Sequence, residues 1–112
     1  MLSVFIAEAA SADLQAIYNH RLAQRGRDGV DGADTLLDNL YTAMEGLAQF
    51  PLRGPLPPEL ESVGIKEWRQ LSYPPFRIIY AVEDDAVTIA VVADGRRDFS
   101  NLLEQRLLRT RG

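Results

Sequence analysis

Three observations predict an α+β fold. Helix-like periodicity is confined to the first half of the chain, strand-like runs dominate the second, and a proline-rich connector separates them. Read in order, the elements are β-α-α-β-β-β with a short last helix. Segregated helices and strands imply an N-terminal strand and an α-helical hairpin packed on a mostly antiparallel sheet. At 112 residues the chain is expected to be a single domain, residues 1–112, long enough to bury a core without covalent staples.

Met1 to Ile6 is a short β-branched and apolar run, read as the first strand. Ala10, Leu14, Ile17, Tyr18 and Leu22 then recur at three- and four-residue steps, which predicts a helix with one buried face. The stretch Gln24 to Gly32 holds three glycines and ends that helix. Leu36, Leu37, Leu40, Met44 and Leu47 form the stripe of a second helix. It stops at Phe50-Pro51, because proline disfavours helical geometry in the residue before it. Residues 51–65 carry four of the six prolines and read as a rigid, irregular connector. Three strands are expected at Lys66–Ser72, Phe76–Val82 and Ala86–Ala93. Pro74-Pro75 and the Glu83-Asp84-Asp85 turn punctuate them. Phe99, Leu103 and Leu107 suggest a last helix over Phe99–Leu108. On the second of the three strands, Phe76, Ile78, Tyr80 and Val82 should face the core. Arg77, Ile79 and Ala81 point the other way and read as an apolar groove that a partner covers.

Composition narrows the chemistry. There is no cysteine, which excludes disulfides, thiolate nucleophiles, zinc fingers and iron–sulfur clusters. His20 is the single histidine, so a His-based metal cage is not expected, and no cofactor is called for. No apolar run approaches the roughly 20 residues needed to cross a bilayer. The N-terminal residues lack the basic start and long apolar stretch of a signal peptide. A cytoplasmic protein with no membrane partner is the expectation. The net charge of −4 weighs against coating nucleic acid by bulk electrostatics. Acid gathers in the first half and arginine in the second, and Lys66 is the only lysine.

No pair of carboxylates stands out by spacing, no G-x-S-x-G elbow offers a serine nucleophile, and no glycine-rich phosphate loop follows a strand. His20 reads as a surface residue. The arginines are the remaining constellation. Arg69 and Arg77 fall on neighbouring predicted strands, and Arg96 and Arg97 follow the last strand. Gathered at one sheet face and its end, they would bind phosphate or an acidic peptide through planar, bidentate contacts. The bland alternative is ion pairing with Glu67, Asp94 and Asp98. As exposed groups, Arg77 and Arg97 should be replaceable by alanine at under about 0.5 kcal/mol.

The order and spacing of several short motifs resemble the ParE/RelE superfamily of toxins from type II toxin–antitoxin modules. Ala10-x-x-Asp13-Leu14-x-x-Ile17-Tyr18 is similar to the family's first helix, and Leu40 to Phe50-Pro51-x-x-Gly54 with Pro58-Glu59-Leu60 to its second helix and connector. Arg77-Ile78-Ile79-Tyr80, Val87-x-Ile89-x-x-Val92 and Gly95-Arg96-Arg97-Asp98 are similar to its strands and their exit. The resemblance implies a toxin neutralised by a cognate antitoxin, in a hetero-oligomer. Two activities occur in the superfamily: ParE-like members inhibit DNA gyrase by binding, and RelE-like members cleave messenger RNA on the ribosome without a metal. The RelE-type site uses basic side chains with a tyrosine or histidine near the C-terminus. Here Phe99 occupies that region and has no proton to transfer. The acidic charge and the Asp98-Phe99-x-x-Leu102 ending also lean toward the ParE branch. The expectation is therefore a gyrase-binding, non-enzymatic toxin, with a RelE-like endoribonuclease as the alternative. Arg69, Arg77, Arg96 and Arg97 are the expected target- or antitoxin-binding residues.

Overall fold

A computed structural model describes residues 2–108. Strand β1 (Ser3–Ile6) leads into helix α1 (Glu8–Arg25), and α2 (Ala33–Glu45) returns and ends in a 3-10 turn over Gly46–Ala48. A one-turn helix α3 (Pro58–Glu61) interrupts the connector. Strands β2 (Arg69–Tyr73), β3 (Phe76–Glu83) and β4 (Ala86–Asp94) follow. The chain closes with α4 (Phe99–Leu103), which runs into a π-helical turn over Glu104–Leu108. Met1, included in the expected first strand, lies outside the described residues. Among the described residues no helix is long and apolar enough to cross a membrane.

The sheet order is β1-β4-β3-β2. The β2–β3 and β3–β4 pairs are antiparallel, and β1 lies parallel to β4. The parallel pair follows from the hairpin: β1 enters α1, and three strands later β4 arrives beside it on the same side of the helices. One face of the sheet carries Leu71, Phe76, Ile78, Tyr80, Val87 and Ile89, and the hairpin covers it with Ala10, Leu14, Leu36, Leu40 and Met44. The helix turn is built by backbone bonds from Ala33 N–H to the Gly26 carbonyl and Asp34 N–H to the Arg27 carbonyl. Gly26 takes a positive φ of 77° there, which favours glycine. The α1 stripe is narrower than its periodicity implies. Ala10 and Leu14 are buried, whereas Leu22 is 39% exposed.

The opposite face corrects the expected groove around Arg77, Ile79 and Ala81. Ile79, Val91 and Ala93 are buried there beneath Leu60 of α3 and Phe99, Leu102 and Leu103 of α4. The chain fills this face itself around Ile79, which is core, while Arg77 and Ala81 are half-buried. The connector and last helix read from sequence are thus a second layer, because an apolar sheet face left to water must find cover.

A β-bulge joins the two faces. Ile79 pairs with Val91 but Tyr80 pairs with Ile89, which leaves Ala90 unmatched on β4. The extra residue shifts the alternation, so Val87, Ile89 and Val92 share the hairpin side while Val91 and Ala93 face α4. The spacing Val87-x-Ile89-x-x-Val92 is the mark this bulge leaves in the sequence.

Candidate functional site: the arginines and the groove beside α1

The four arginines do not converge. Arg69 pairs across the ladder with Tyr80, and Arg77 with Ser72 and Ala93, so they occupy opposite faces of the sheet. The Arg69 guanidinium donates to the carbonyls of Gly54 at 2.7 Å and Leu52 at 3.4 Å. It thereby ties the connector to β2. Gly54 is wedged in the same place: its N–H donates to the Tyr80 hydroxyl at 3.1 Å, and Tyr80 donates to the Pro51 carbonyl at 2.8 Å. A Cβ at Gly54 would stand 2.1 Å from the Gln70 carbonyl oxygen, so only glycine fits. Burial pushes the Tyr80 hydroxyl above its ordinary pKa.

Arg77 lies on the face covered by α3 and α4. Its guanidinium makes a two-pronged bond to Glu59, at 2.7 and 2.9 Å, and donates through Nε to Gln70 Oε1 at 2.8 Å. The cation sits 3.9 Å from the centre of the Phe99 ring. Its side chain is only 15% exposed. The hydrogen bonds from Arg77 hold the Glu59 carboxyl below the usual range, against a smaller opposing effect of burial. Exposure and cheap replacement are therefore corrected for Arg77, because α3 delivers a carboxylate that the residue spacing does not announce. Glu67, Asp94 and Asp98 are not its partners among the described residues.

Arg96 and Arg97 lie on the exposed turn between β4 and α4. Arg96 folds back on Asp94 through its backbone N–H and Nε, both at 2.9 Å, and through an ion pair. These bonds lower the Asp94 carboxyl to about 2. Asp98 caps α4 by accepting from the Asn101 N–H at 3.2 Å. The Asp-Phe ending thus begins a helix, and Phe99 is its first buried anchor.

These two arginines overlook a groove of about 400 Å³ between α1 and the end of the sheet. Ile17, Leu36, Phe76 and Val92 line it, and His20, Arg21, Arg96 and Arg97 bring polar groups to it. Asp13 also contributes, but its carboxylate is occupied. It accepts from Val92 N–H at 3.0 Å and from both terminal nitrogens of Arg106 at 3.0 Å. Arg106 in turn donates to the Ala90 carbonyl at 2.7 Å. The short β1 pairs with β4 only as far as Ile89. Beyond it, Asp13 and Arg106 serve the backbone of β4 around the bulge, and they tie the C-terminal segment to α1. Among the described residues no group of three His, Asp or Glu is placed to hold a metal ion.

Asp13 and Glu59 stand in the quoted motifs, but no local signal gives their roles or those of Gln70 and Arg106, whose partners lie 7 to 93 residues away. The sequence alone makes His20 a surface residue, and no local signal places it on one groove with Arg96 and Arg97.

The layers, the mixed four-stranded sheet and the short C-terminal helix define a ParE/RelE-like toxin fold. Residues 4–99 match the family described as the ParE toxin of type II toxin-antitoxin system, parDE, and the chain belongs to that family. Among solved structures it is similar to the chromosomal ParDE toxin–antitoxin system from P. aeruginosa. The two are 20% identical, with 84% of this chain and 96% of that one covered and a TM-score of 0.67. It is also similar to a copper-bound mutant toxin from Helicobacter pylori, at 19% identity, 84% and 94% coverage and a TM-score of 0.48. No curated protein sequence matches it.

Proposed function

We propose that this chain arrests growth by binding DNA gyrase, and that a cognate antitoxin encoded with it neutralises it by direct contact. The observation that carries the non-enzymatic reading is the state of Arg77. A nuclease of the related RelE type needs free cations to stabilise charge on the reacting phosphate and a side chain to move its proton. Here the strand arginine is spent on Glu59, Gln70 and Phe99, beneath two helices. The aromatic residue beside it is a buried phenylalanine, 3% exposed, with nothing to donate. Of the four arginines assigned to binding, Arg96 and Arg97 are the ones with exposed side chains on the surface, and Arg69 and Arg77 support it from within.

One observation favours the alternative. His20 lines the same groove as Arg96 and Arg97, and an imidazole beside arginines is chemistry a ribonuclease can use. Supercoiling by purified gyrase, and primer extension on translating ribosomes, separate the readings. The gyrase reading expects supercoiling to stop at stoichiometric toxin and messenger RNA to stay whole. Codon-linked cleavage that vanishes in His20→Ala, with supercoiling untouched, would replace it by the endoribonuclease.

A further inference from the structure

The chain guards one edge of its sheet and leaves the other open. At β2 the connector covers the edge: Gln70 N–H donates to the Pro55 carbonyl at 2.9 Å, and Arg69 reaches the Gly54 carbonyl at 2.7 Å. At β1 the cover stops just before the strand, where Leu2 N–H donates to the Ala48 carbonyl at 3.0 Å. The ladder then fixes which main-chain groups are spent. Ser3 N–H donates to the Asp85 carbonyl at 3.1 Å and Ala7 N–H to that of Ile89 at 2.9 Å, so Ser3, Phe5 and Ala7 face β4. The groups of Val4 and Ile6 point to the outer side, and among the described residues they have no backbone partner. Native edges are blunted by charge, proline or a bulge, and Ser-Val-Phe-Ile has none of these. Val4 and Ile6 pack on the hairpin side, which turns Phe5 to the opposite face. There it pairs with the exposed Thr88, outside the cluster that α4 builds, and is 58% exposed.

We propose that two copies of this chain associate through β1, antiparallel about a twofold axis at Phe5. What fits an open edge is another extended backbone, and the alternation of the outward groups fixes the register. Val4 of one copy opposes Ile6 of the other and exchanges both bonds with it, and Ile6 does the same with Val4. Phe5 then opposes Phe5 as the intervening non-hydrogen-bonded pair, the kind in which side chains come closest. The aromatic pair covers on each copy the ring that the fold leaves in water. A second copy is the occupant that matches, because a twofold contact requires a surface complementary to itself. This strand meets that requirement in its main-chain pattern and carries no charge for another partner to pair with. The net −4 of each chain opposes association at long range, so added salt should strengthen the dimer. The contact is small, so the dimer forms by mass action and is not obligate. The inference rests on the strand edge alone and stands whatever the toxin's target.

The test is sedimentation of the full chain alone over about a hundredfold range of concentration. Phe5→Lys is run beside Val30→Lys, which charges an apolar residue 88% exposed in the turn between α1 and α2. Parent and Val30→Lys should pass from monomer to dimer together. Phe5→Lys sets like charges directly opposite each other and should associate at least about tenfold more weakly, with all three chains melting within a few degrees of one another. Crosslinking reads the register. The chain has no cysteine, so Phe5→Cys supplies a single thiol per copy. Opposed Cα atoms of such a pair lie about 4.5 Å apart, inside the disulfide range of roughly 4.4–6.8 Å, and the variant should oxidise to a covalent dimer. Ser3→Cys, which would face Ala7 of the second copy, should not. A parent that stays monomeric overturns the proposal, as does equal weakening by Val30→Lys, which would mean unspecific apolar contact. Crosslinking of Phe5→Cys no faster than Ser3→Cys overturns the register and the twofold with it. If the parent is monomeric and Phe5→Lys instead loses the antitoxin, the edge serves a different chain and the proposal is wrong.

Discussion

Replacing Arg77 by methionine keeps the aliphatic stem that runs past Gly95, whose Cβ position lies about 3.0 Å from Arg77 Cδ, and deletes the guanidinium. Glu59 then keeps its charge but loses both bonds to Arg77 at a site where its side chain is 22% exposed. Exposed pairs are worth about 0.2–1 kcal/mol, whereas orphaning one member of a fully buried pair costs about 3–5 kcal/mol. Side-chain exposures of 15% and 22% place this pair between the two limits. We expect a loss of about 2–3 kcal/mol, including the smaller contribution of the Phe99 contact. At a urea m-value of about 1–3 kcal/mol per molar, the unfolding midpoint should fall by roughly 0.7–3 M. Adding Glu59→Leu should recover much of it, since two apolar side chains replace an ion pair cheaply. The pH dependence carries a defined sign. Glu59 has a lowered pKa in the folded chain. Its contribution is complete above the unfolded carboxyl value, near 4.5, and is lost as pH falls through the folded value. The difference between parent and Arg77→Met should therefore be constant from pH 7 to about 5 and shrink below that. Arg97→Ala on the exposed turn is the internal control, at under about 0.5 kcal/mol. An Arg77→Met variant as stable as Arg97→Ala would refute the reasoning and make Arg77 an ordinary surface arginine.

Tyr80→Phe removes the hydroxyl that joins Gly54 N–H to the Pro51 carbonyl; orphaning those groups should cost about 1–3 kcal/mol in thermal or urea unfolding, and a neutral result would mean that water replaces the hydroxyl. Asp13→Ala strands the Val92 N–H and frees Arg106, so it should cost about 2–3 kcal/mol. Amide exchange should rise both at Val92 and over residues 99–108; protection of that C-terminal segment at the parent level would show that its apolar contacts hold it without the ion pair.

Local pattern was sufficient for β1, the two long helices, β3 and β4, because each follows from its own residues, whereas β2 begins at Arg69 rather than Lys66 and the one-turn α3 lies inside the segment expected to be irregular. Leu36, Leu40, Met44 and Leu47 form a stripe whatever lies beneath them, and Phe50-Pro51 ends helical geometry by sterics alone. Short motifs in order were also enough to suggest the toxin family, since spacing is preserved in the linear chain. The sequence likewise carried the trace of the β4 bulge in Ile89-x-x-Val92. The fate of the second sheet face was not legible, because Ile79 looks alike under a partner and under the chain's own α4. Among the arginines the local pairing of Arg96 with Asp94, two residues away, was legible, but the internal roles of Arg69 and Arg77 were not. An arginine's residue type sets its chemistry, but whether its charge is spent depends on which carboxylate the fold brings within about 3 Å. Glu59 reaches Arg77 and Asp13 reaches Arg106, while Arg21 and Arg97 are left facing a groove between α1 and the end of β4. Propensity, periodicity and turn chemistry act over a few residues and are written in sequence. Charge compensation acts through space between distant segments, and only the tertiary structure decides it.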